Sequence, residues 1–154
     1  KIGSLPKLVE SDIVKETQDA FDYLKRRSSK LIHFSFNSKV NHLSVLLNSS
    51  LYNWTIENLV KNGIDAMRGK GSIAIEIVPD GKYVNILIAD TGHGIPKSNY
   101  NSIFTPGFTS KKRGWGLGLS LVKRIVEEYH DGKIKVLSSG KEGTIMQISL
   151  KVSH

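Results

Sequence analysis

The sequence contains no cysteine among its 154 residues. This absence excludes a disulfide framework, a thiolate metal site and a cysteine nucleophile. Long apolar runs are also lacking, since no stretch approaches the ~20 residues that a membrane-spanning helix needs. No signal-peptide pattern is present either. The chain begins with Lys1 rather than methionine, and we expect it to be a fragment of a longer protein.

Two common phosphate-binding signatures are missing as well. No G-x-x-x-x-G-K-[ST] loop occurs, and the glycines at 114, 116 and 118 do not form a Rossmann fingerprint, because position 119 is Leu and no strand leads in. The net charge of +8 favours anionic partners. Basic residues are not interleaved with aromatic ones, as a nucleic-acid platform requires, so we expect no nucleic-acid partner.

Hydrophobic periodicity predicts one α/β domain. The predicted helices are residues 10–26, 52–68 and 116–130, where apolar side chains recur every three to four residues. The predicted strands alternate polar and apolar side chains and cover residues 31–36, 43–48, 72–78, 83–89, 133–138 and 144–152. This order favours a two-layer α/β sandwich, with a mixed, mostly antiparallel sheet and helices on one face. We assign residues 1–9 to a linker and residues 10–154 to the domain.

The middle predicted helix carries a polar stripe. Asn58, Asn62 and Asp65 are spaced i, i+4, i+7 and share one side, opposite the apolar face. A solvated polar face would have the same pattern. Alternatively, two carboxamide oxygens would face one cation, and Mg²⁺ needs only one or two protein oxygens when phosphates and water fill its other positions.

Asp90 begins the segment DTGHGIP at 90–96, where an apolar strand gives way to a glycine loop. A carboxylate in this position can accept a hydrogen bond from an amino group such as that of adenine. Gly92 and Gly94 permit a close backbone approach to a planar base. An ordinary Asp-Gly turn is the alternative reading of the segment.

The irregular stretch 90–115 continues into two further segments. In IFTPGFTSK, at 103–111, Phe104 and Phe108 are either core aromatics or the anchors of a lid with cationic residues beyond it. In GWGLGLSLV, at 114–122, three glycines precede a helix, and free N–H groups at a helix N-terminus bind phosphate.

In this order, the four segments resemble the N, G1, F and G2 boxes of the GHKL nucleotide-binding superfamily. Glu142-Gly143-Thr144 is similar to its final box. The resemblance covers roughly residues 52–152 and implies the Bergerat α/β sandwich as the fold. It also implies ATP and Mg²⁺ as ligands.

The resemblance assigns a role to each matching position. Asn62 is expected to hold Mg²⁺ and Asn58 to contact phosphate, while Lys111 reaches the phosphates from the lid. Asp90 is expected to bind the adenine amine, supported by Gly92, Gly94 and Thr144. The amides of Gly114, Gly116 and Gly118 are expected to bind phosphate. The remaining nucleotide contacts that we expect are Asp65, Ile95, Phe104, Phe108, Thr109, Leu117 and Leu119.

Within the superfamily, the sequence resembles the catalytic domain of sensor histidine kinases. Chaperone, gyrase and mismatch-repair ATPases carry a water-activating glutamate where this chain has Asn58, and an amide is not a general base. Phosphoryl transfer to a neutral histidine needs no such base. The segment IVEEYHDGKI, at 125–134, also resembles sensor kinases. A hydrolysing GHKL ATPase and a non-catalytic nucleotide-binding module are the alternatives.

The phosphoacceptor histidine is expected outside this sequence. The five histidines are His33, His42, His93, His130 and His154. Only His130 precedes an acidic residue, and its expected role is to complement the dipole at the C-terminus of a helix. The resemblance implies upstream dimerisation helices with the acceptor, of which residues 1–9 are the residual linker. It also implies a response regulator as partner, a cytoplasmic location for this domain and a parent compatible with an inner-membrane anchor.

Overall fold

The computed structural model describes residues 5–108 and 118–153. Its helices and strands, in chain order, are β1 (Val9–Asp12), α1 (Ile13–Arg26), β2 (Ile32–Ser38), β3 (Ser44–Leu47), α2 (Ser49–Ala66), β4 (Gly71–Asp80), β5 (Tyr83–Asp90), two short 3-10 helices (Lys97–Asn99 and Ser102–Phe104), α3 (Gly118–Arg124), a π-helical segment (Ile125–Tyr129), β6 (Lys133–Gly140) and β7 (Gly143–Lys151). Within the described residues, no helix is both long and apolar enough to cross a bilayer.

A five-stranded sheet in the order β2-β4-β5-β7-β6 forms one layer of the domain. Strands β2 and β4 are parallel, and the other neighbours are antiparallel. The predicted mixed, mostly antiparallel sheet is therefore confirmed. Alternate residues of its strands, such as Ile73, Ile75 and Ile77, are buried beneath the helices, whereas the residues between them are partly exposed.

One prediction near the N-terminus is wrong. The helix predicted over 10–26 begins at Ile13, because residues 9–12 form β1, which pairs with β3. Asp12 ends this strand and caps the helix, since its carboxylate accepts a hydrogen bond from the Val14 N–H at 3.1 Å. Strands β2 and β3 are consecutive in sequence but lie in different sheets, and β3 contacts the large sheet through a bridge between Val45 and Val152.

Helices α1 and α2 pack together on the sheet through apolar side chains and one buried polar contact. Phe21 of α1 lies against Phe34 of β2, with ring centroids 4.9 Å apart. The Thr17 hydroxyl donates to the Ile13 carbonyl at 2.6 Å, so the Tyr52 hydroxyl, 2.7 Å away, donates to Thr17. This bond satisfies two polar groups that burial would otherwise penalise, and it fixes α2 relative to α1.

The helix predicted over 116–130 changes type partway along. α3 ends at Arg124, and Ile125–Tyr129 is π-helical, with the His130 N–H bonded to the Ile125 carbonyl at 3.1 Å. Val122, Ile125 and Val126 are buried, whereas Leu121 lies on the outer side of α3 and is 39% exposed.

His130 contacts two elements as a neutral ring, so the expected cationic role is wrong. One ring nitrogen, Nδ1, lies 2.9 Å from the Ile125 carbonyl oxygen and must donate to it. The other, Nε2, accepts the Asn48 backbone N–H at 3.0 Å. A ring that donates at one nitrogen and accepts at the other is uncharged. Burial lowers the pKa of His130, which also favours the neutral form.

We expect His130→Ala to reduce the free energy of unfolding by about 2 kcal/mol at pH 7.5, because the Asn48 N–H loses its acceptor and the Ile125 carbonyl keeps only the His130 backbone N–H. The pKa of His130 is lower in the folded protein than in the unfolded chain. Its stabilising effect is therefore present above the unfolded pKa and is lost as pH falls through the folded one. The difference in the free energy of unfolding between wild type and His130→Ala should therefore be smaller at pH 5.5.

Urea denaturation at both pH values measures this difference in the free energy of unfolding, with His33→Ala on the exposed side of β2 as the control. A difference that does not change with pH would contradict the neutral ring.

Candidate nucleotide site

Asp90 lies at the end of β5 and directly against α2. It pairs with Thr144 of β7 across the sheet. A Cβ atom placed on Gly63 would lie 3.0 Å from the Asp90 Cβ and 3.2 Å from its Oδ2. The missing side chain at Gly63 is therefore what lets the carboxylate approach the helix that carries Asn58 and Asn62.

The Asp90 carboxylate is partly buried and held by backbone donors. Burial raises its pKa, although the N–H groups of Gly92 and Thr144 and the nearby His93 act in the opposite direction. The Gly92 N–H lies 2.8 Å from Oδ1. Partial burial of an ionised carboxylate lowers the free energy of unfolding. Such a group is therefore a candidate for contact with a ligand. The geometry suits an acceptor for a ligand amine.

Glycines allow three chain segments to approach one another around Asp90. A Cβ on Gly92 would lie 2.8 Å from the Ala66 carbonyl carbon of α2. At Gly94, where φ is +87°, a Cβ would overlap the Gly140 carbonyl oxygen. At Gly143, where φ is +128°, it would overlap the Asp90 carbonyl oxygen. The predicted roles of Gly92 and Gly94 did not include these close approaches.

A pair of hydroxyl groups lies beside Asp90. Thr144 is 5% exposed, and its Oγ1 is 2.7 Å from the Ser139 Oγ of β6. Ser139 Oγ also accepts the Ile95 N–H at 2.7 Å. Thr144 and Ile95 were predicted site residues and Gly143 was named only within the final box, whereas Ser139 and Gly63 were not predicted. A glycine inside a helix costs about 1 kcal/mol, which is a signal that could have identified Gly63.

Asn58 of α2 lies next to the first residue of α3. Its Nδ2 donates to the Trp54 carbonyl at 3.0 Å. Its Oδ1 lies 3.2 Å from the position of a Cβ on Gly118. The amide nitrogen is bonded to its own helix, so the oxygen is the atom presented towards α3. Gly63, where Asp90 approaches, is five residues further along α2, a rise of about 7.5 Å.

The other predicted residues are distributed around this arrangement. Asn62, one turn beyond Asn58, is partly buried, and Asp65 is exposed. Phe104 is buried beneath α3, with the Lys123 ammonium 5.6 Å from its ring centroid. Phe108 and Leu119 are partly buried against the core. The remaining predicted residues, Thr109, Lys111, Gly114, Gly116 and Leu117, lie outside the described residues.

The donor set fits Mg²⁺ only as a partner of phosphate. Within residues 5–108 and 118–153, no cluster of three or more His, Asp or Glu side chains could hold a metal ion. The predicted protein ligands on α2 are the amide side chains of Asn58 and Asn62. Mg²⁺ commonly keeps several waters and takes one or two protein ligands together with substrate phosphates. The residues present are compatible with that arrangement.

The described site thus combines an acceptor carboxylate among glycines beside α2 with an amide oxygen at the start of α3. Residues 50–154 match the family described as histidine kinase-, DNA gyrase B- and HSP90-like ATPase. The chain belongs to this family, and the predicted fold and nucleotide are confirmed at that level.

Sensor kinases are among the relatives. An NtrY-like sensor histidine kinase of Rickettsia felis is 28% identical over 145 residues, 93% of this chain and 24% of that protein. Sporulation kinase C of Bacillus subtilis is 36% identical over 93 residues, 60% of this chain and 22% of that protein. The chain thus spans about a quarter of the length of these curated relatives.

Solved structures share the whole fold. The catalytic domain of histidine kinase ThkA, in a nucleotide-free form, is 27% identical with a TM-score of 0.85, covering 94% of this chain and 95% of that one. ThkA in complex with the response regulator TrrA is 25% identical with a TM-score of 0.81, covering 94% of this chain and 41% of that one. The two-layer sandwich is therefore that of a histidine kinase catalytic domain.

Proposed function

We propose that this chain binds Mg-ATP and transfers the γ-phosphoryl group to a histidine on the dimerisation helices of its parent protein. The observation that carries the proposal is the identity and orientation of Asn58. An amide stands beside the start of α3, where a hydrolysing enzyme of this superfamily needs a carboxylate. The family membership and the sensor-kinase relatives support the same reading.

Asp90 is the proposed adenine contact. Its carboxylate accepts a hydrogen bond from the exocyclic amine of the base, in a partly buried setting where such a bond is strong. Gly92, Gly94 and Ile95 bring the backbone close to the base, and Thr144 contributes a neighbouring hydroxyl. Burial of the carboxylate is unfavourable without a ligand, which is consistent with a group kept for binding.

The proposed binding site for the phosphates lies near Asn58, about one and a half helical turns before Gly63 on α2. Asn58 presents an oxygen, which suits water bound to a cation better than the phosphate contact that the sequence suggested. Asn62 is the proposed magnesium ligand. We propose that the nucleotide phosphates accept hydrogen bonds from the backbone amides of Gly114, Gly116 and Gly118 and from the ammonium of Lys111. Phe104 and Phe108 anchor the segment that precedes these residues.

The proposed chemistry is a direct transfer. A neutral imidazole nitrogen of the acceptor attacks the γ-phosphorus, the bond from phosphorus to the bridging oxygen breaks, and ADP leaves. The protein positions the groups and neutralises charge, which is most of what phosphoryl transfer requires. Neither Asn58 nor Asn62 can take a proton from water, so hydrolysis is slow.

The proposed partners follow from the relatives. ThkA was solved with a response regulator, and we propose a receiver domain of that class as the partner of this chain's parent. The upstream dimerisation helices are the second partner. We place this domain in the cytoplasm, where ATP is available, and a membrane anchor on the parent is compatible with that placement.

Transfer of label from ATP tests this function. The full-length parent is incubated with Mg²⁺ and γ-labelled ATP, and the label is expected on histidine, stable to base and labile to acid. Release of free phosphate without labelled protein would favour the ATPase alternative. Nucleotide binding with neither product would favour a non-catalytic module. A variant of the parent with its acceptor histidine replaced is the control.

We expect Asn62→Ala to remove the Mg²⁺ dependence of nucleotide binding, because the cation loses its protein oxygen. Calorimetric titration with ATP, in excess Mg²⁺ and in excess chelator, measures the effect. Wild type should bind at least about tenfold more tightly with the metal, a difference of roughly 1.4 kcal/mol, and the variant should not. Asn53→Ala, on the exposed side of the same helix, is the matched control. Full magnesium enhancement in Asn62→Ala would refute the assignment.

A further inference from the structure

One edge of the large sheet carries a concentration of cations outside the proposed nucleotide contacts. Strands β2 and β4 are parallel and begin there together, with Ile32 opposite Gly71, and the Gly71 N–H donates to the Leu31 carbonyl at 3.2 Å. The segments that enter these strands, one from α1 and one from α2, therefore lie side by side. Together with the last turn of α1 they contain six exposed basic residues, which we call the basic end: Lys25, Arg26, Arg27, Lys30, Arg68 and Lys70.

Only part of this charge has a structural role. Cations in the last turn of α1 complement the helix dipole, and the Arg27 guanidinium lies 4.5 Å from the ring centroid of Tyr23. The acidic residues in the last two turns of α1 and α2 are Asp22 and Asp65, so positive charge predominates. No ion pair between described residues includes a member of the basic end. Its charge is therefore available to an anionic partner.

Two exposed apolar side chains accompany the cations. Leu31 is 67% exposed and Tyr23 is 47% exposed. The backbone of Leu31 is held on both sides, because its N–H donates to the Ser29 Oγ at 3.1 Å and its carbonyl accepts the Gly71 N–H. The leucine side chain is thus presented to solvent from a fixed backbone, directly after Lys30. Apolar side chains among cations are typical of a surface that contacts anionic lipid headgroups.

The turn after α2 projects from the domain. Arg68 has φ of +56°, a left-handed conformation that is uncommon for a residue with a side chain. At Gly69, where φ is +102°, nothing lies within 4 Å of a Cβ placed there. The turn therefore carries the cations Arg68 and Lys70 on a protruding part of the surface. Such a shape suits a flat partner better than a peptide, which binds along a groove or a sheet edge.

The basic end lies far from the described N-terminal segment, residues 5–8. The Lys7 carbonyl accepts a hydrogen bond from Asn48 Nδ2 at 3.1 Å, and Asn48 caps the N-terminus of α2. The 18 residues of α2 rise by about 27 Å, and the basic end adjoins its other terminus. The N-terminal segment therefore leaves this surface uncovered.

We propose that the basic end is a peripheral membrane-contact site, which binds the headgroups of an anionic lipid bilayer and places Leu31 and Tyr23 among them. Lipid fits better than nucleic acid, because Arg27 covers one face of the Tyr23 ring and the surface offers no aromatic platform for stacked bases. The inference goes beyond the proposed function, since it assigns a role to residues outside the proposed nucleotide site.

Sedimentation with vesicles measures the binding. The chain should bind vesicles that contain phosphatidylglycerol and not vesicles of phosphatidylcholine alone. Added salt should weaken the binding, because the Debye length shortens from about 10 Å at 0.1 M to about 3 Å at 1 M. The double variant Arg26→Gln/Lys30→Gln should lower the partition coefficient about twentyfold, roughly fivefold for each cation. Its matched control is Lys133→Gln/Lys135→Gln, which removes the same charge from edge strand β6 at the opposite side of the sheet and should bind as wild type.

A second pair of variants tests the apolar contact. Leu31→Ser leaves the charge unchanged and should lower the partition coefficient about threefold or more, a fraction of the effect of fully burying a leucine. Leu137→Ser, at an exposed position of β6, should have no effect. Melting temperatures equal to that of wild type would show that lost binding does not reflect unfolding. Should Arg26→Gln/Lys30→Gln not fold, Arg68→Gly/Lys70→Gln removes two cations from the other turn, with the same expected loss.

Several outcomes would overturn the inference. Wild type that does not bind phosphatidylglycerol vesicles would remove the site. Equal losses in Arg26→Gln/Lys30→Gln and in its control would show that net charge alone drives binding. Unchanged partitioning of Leu31→Ser would show attraction without an apolar contact. Binding to duplex DNA that requires Arg26 and Lys30, without binding to vesicles, would assign the basic end to nucleic acid. None of these results depends on whether the chain binds ATP.

Discussion

Replacing Asp90 by asparagine is expected to weaken ATP binding about a hundredfold without lowering the stability of the ligand-free protein. Asparagine can keep the bond from the Gly92 N–H by presenting its oxygen there. Its amino group then faces the amine of the base, and two donors meet. The lost contact is with the ligand, so the fold should be retained.

The stability part of this prediction follows from the pKa of Asp90. Burial raises that pKa above the value in the unfolded chain. The unfolded chain therefore ionises more readily, and the residue reduces stability as pH rises from the unfolded pKa through the folded one. The full penalty is present above the folded pKa of Asp90, and the neutral asparagine removes it. We expect a melting temperature equal to or above that of wild type at pH 7.

Calorimetric titration and thermal unfolding measure the two effects together. Asp80→Asn, at the exposed end of β4, is the matched control and should change neither quantity. Unchanged ATP affinity in Asp90→Asn would remove the adenine assignment. A much lower melting temperature would show that the carboxylate is structural.

Gly143→Ala is expected to destabilise the domain by about 3 kcal/mol or more. Residue 143 has φ near +128°, a conformation that alanine adopts only with strain of about 1–3 kcal/mol. The new Cβ would also overlap the Asp90 carbonyl oxygen, and relief of such a clash commonly costs a further 1–3 kcal/mol, roughly. Because β5 and β7 pair at this point, their separation should also reduce ATP affinity.

Gly69→Ala separates the two causes. Gly69 also has positive φ, at +102°, but nothing lies within 4 Å of a Cβ placed there. It should therefore show the conformational strain without the clash. Denaturant unfolding of both variants measures the difference. Equal destabilisation would show that the contact with Asp90 is unimportant.

Local patterns predicted the elements well because their causes are local. The alternation of Ile73, Ile75 and Ile77 predicted β4, and that of Val84, Ile86 and Ile88 predicted β5. The pairing of β2 with β4 was not predicted, because parallel partners are joined by a long crossover and register is set by contacts distant in sequence. For the same reason, the short β1 was read as part of α1, since its partner is residues 44–47.

The polar residues of the candidate site were predicted from the sequence, but the close contacts between its elements were not. Asn58, Asn62, Asp90 and Thr144 carry recognisable chemistry, and the family resemblance set their roles. Gly63 permits the close approach of Asp90 to α2, and Ser139 accepts the Ile95 N–H. Both contacts are made by elements that are distant in sequence. The direction of the Asn58 amide likewise depends on the Trp54 carbonyl, so no spacing rule could reveal it.

The strand order has a consequence for biosynthesis. Among the strands of the described residues, β7 follows β6 in sequence, yet it lies between β5 and β6 in the sheet. A nascent chain that ends at β6 thus has an incomplete sheet, and the partner of Asp90 across it has not been translated. Chains that stop at β6 would lack the strand that pairs with β5 at the proposed adenine contact, so incomplete synthesis should not release a fragment that binds ATP.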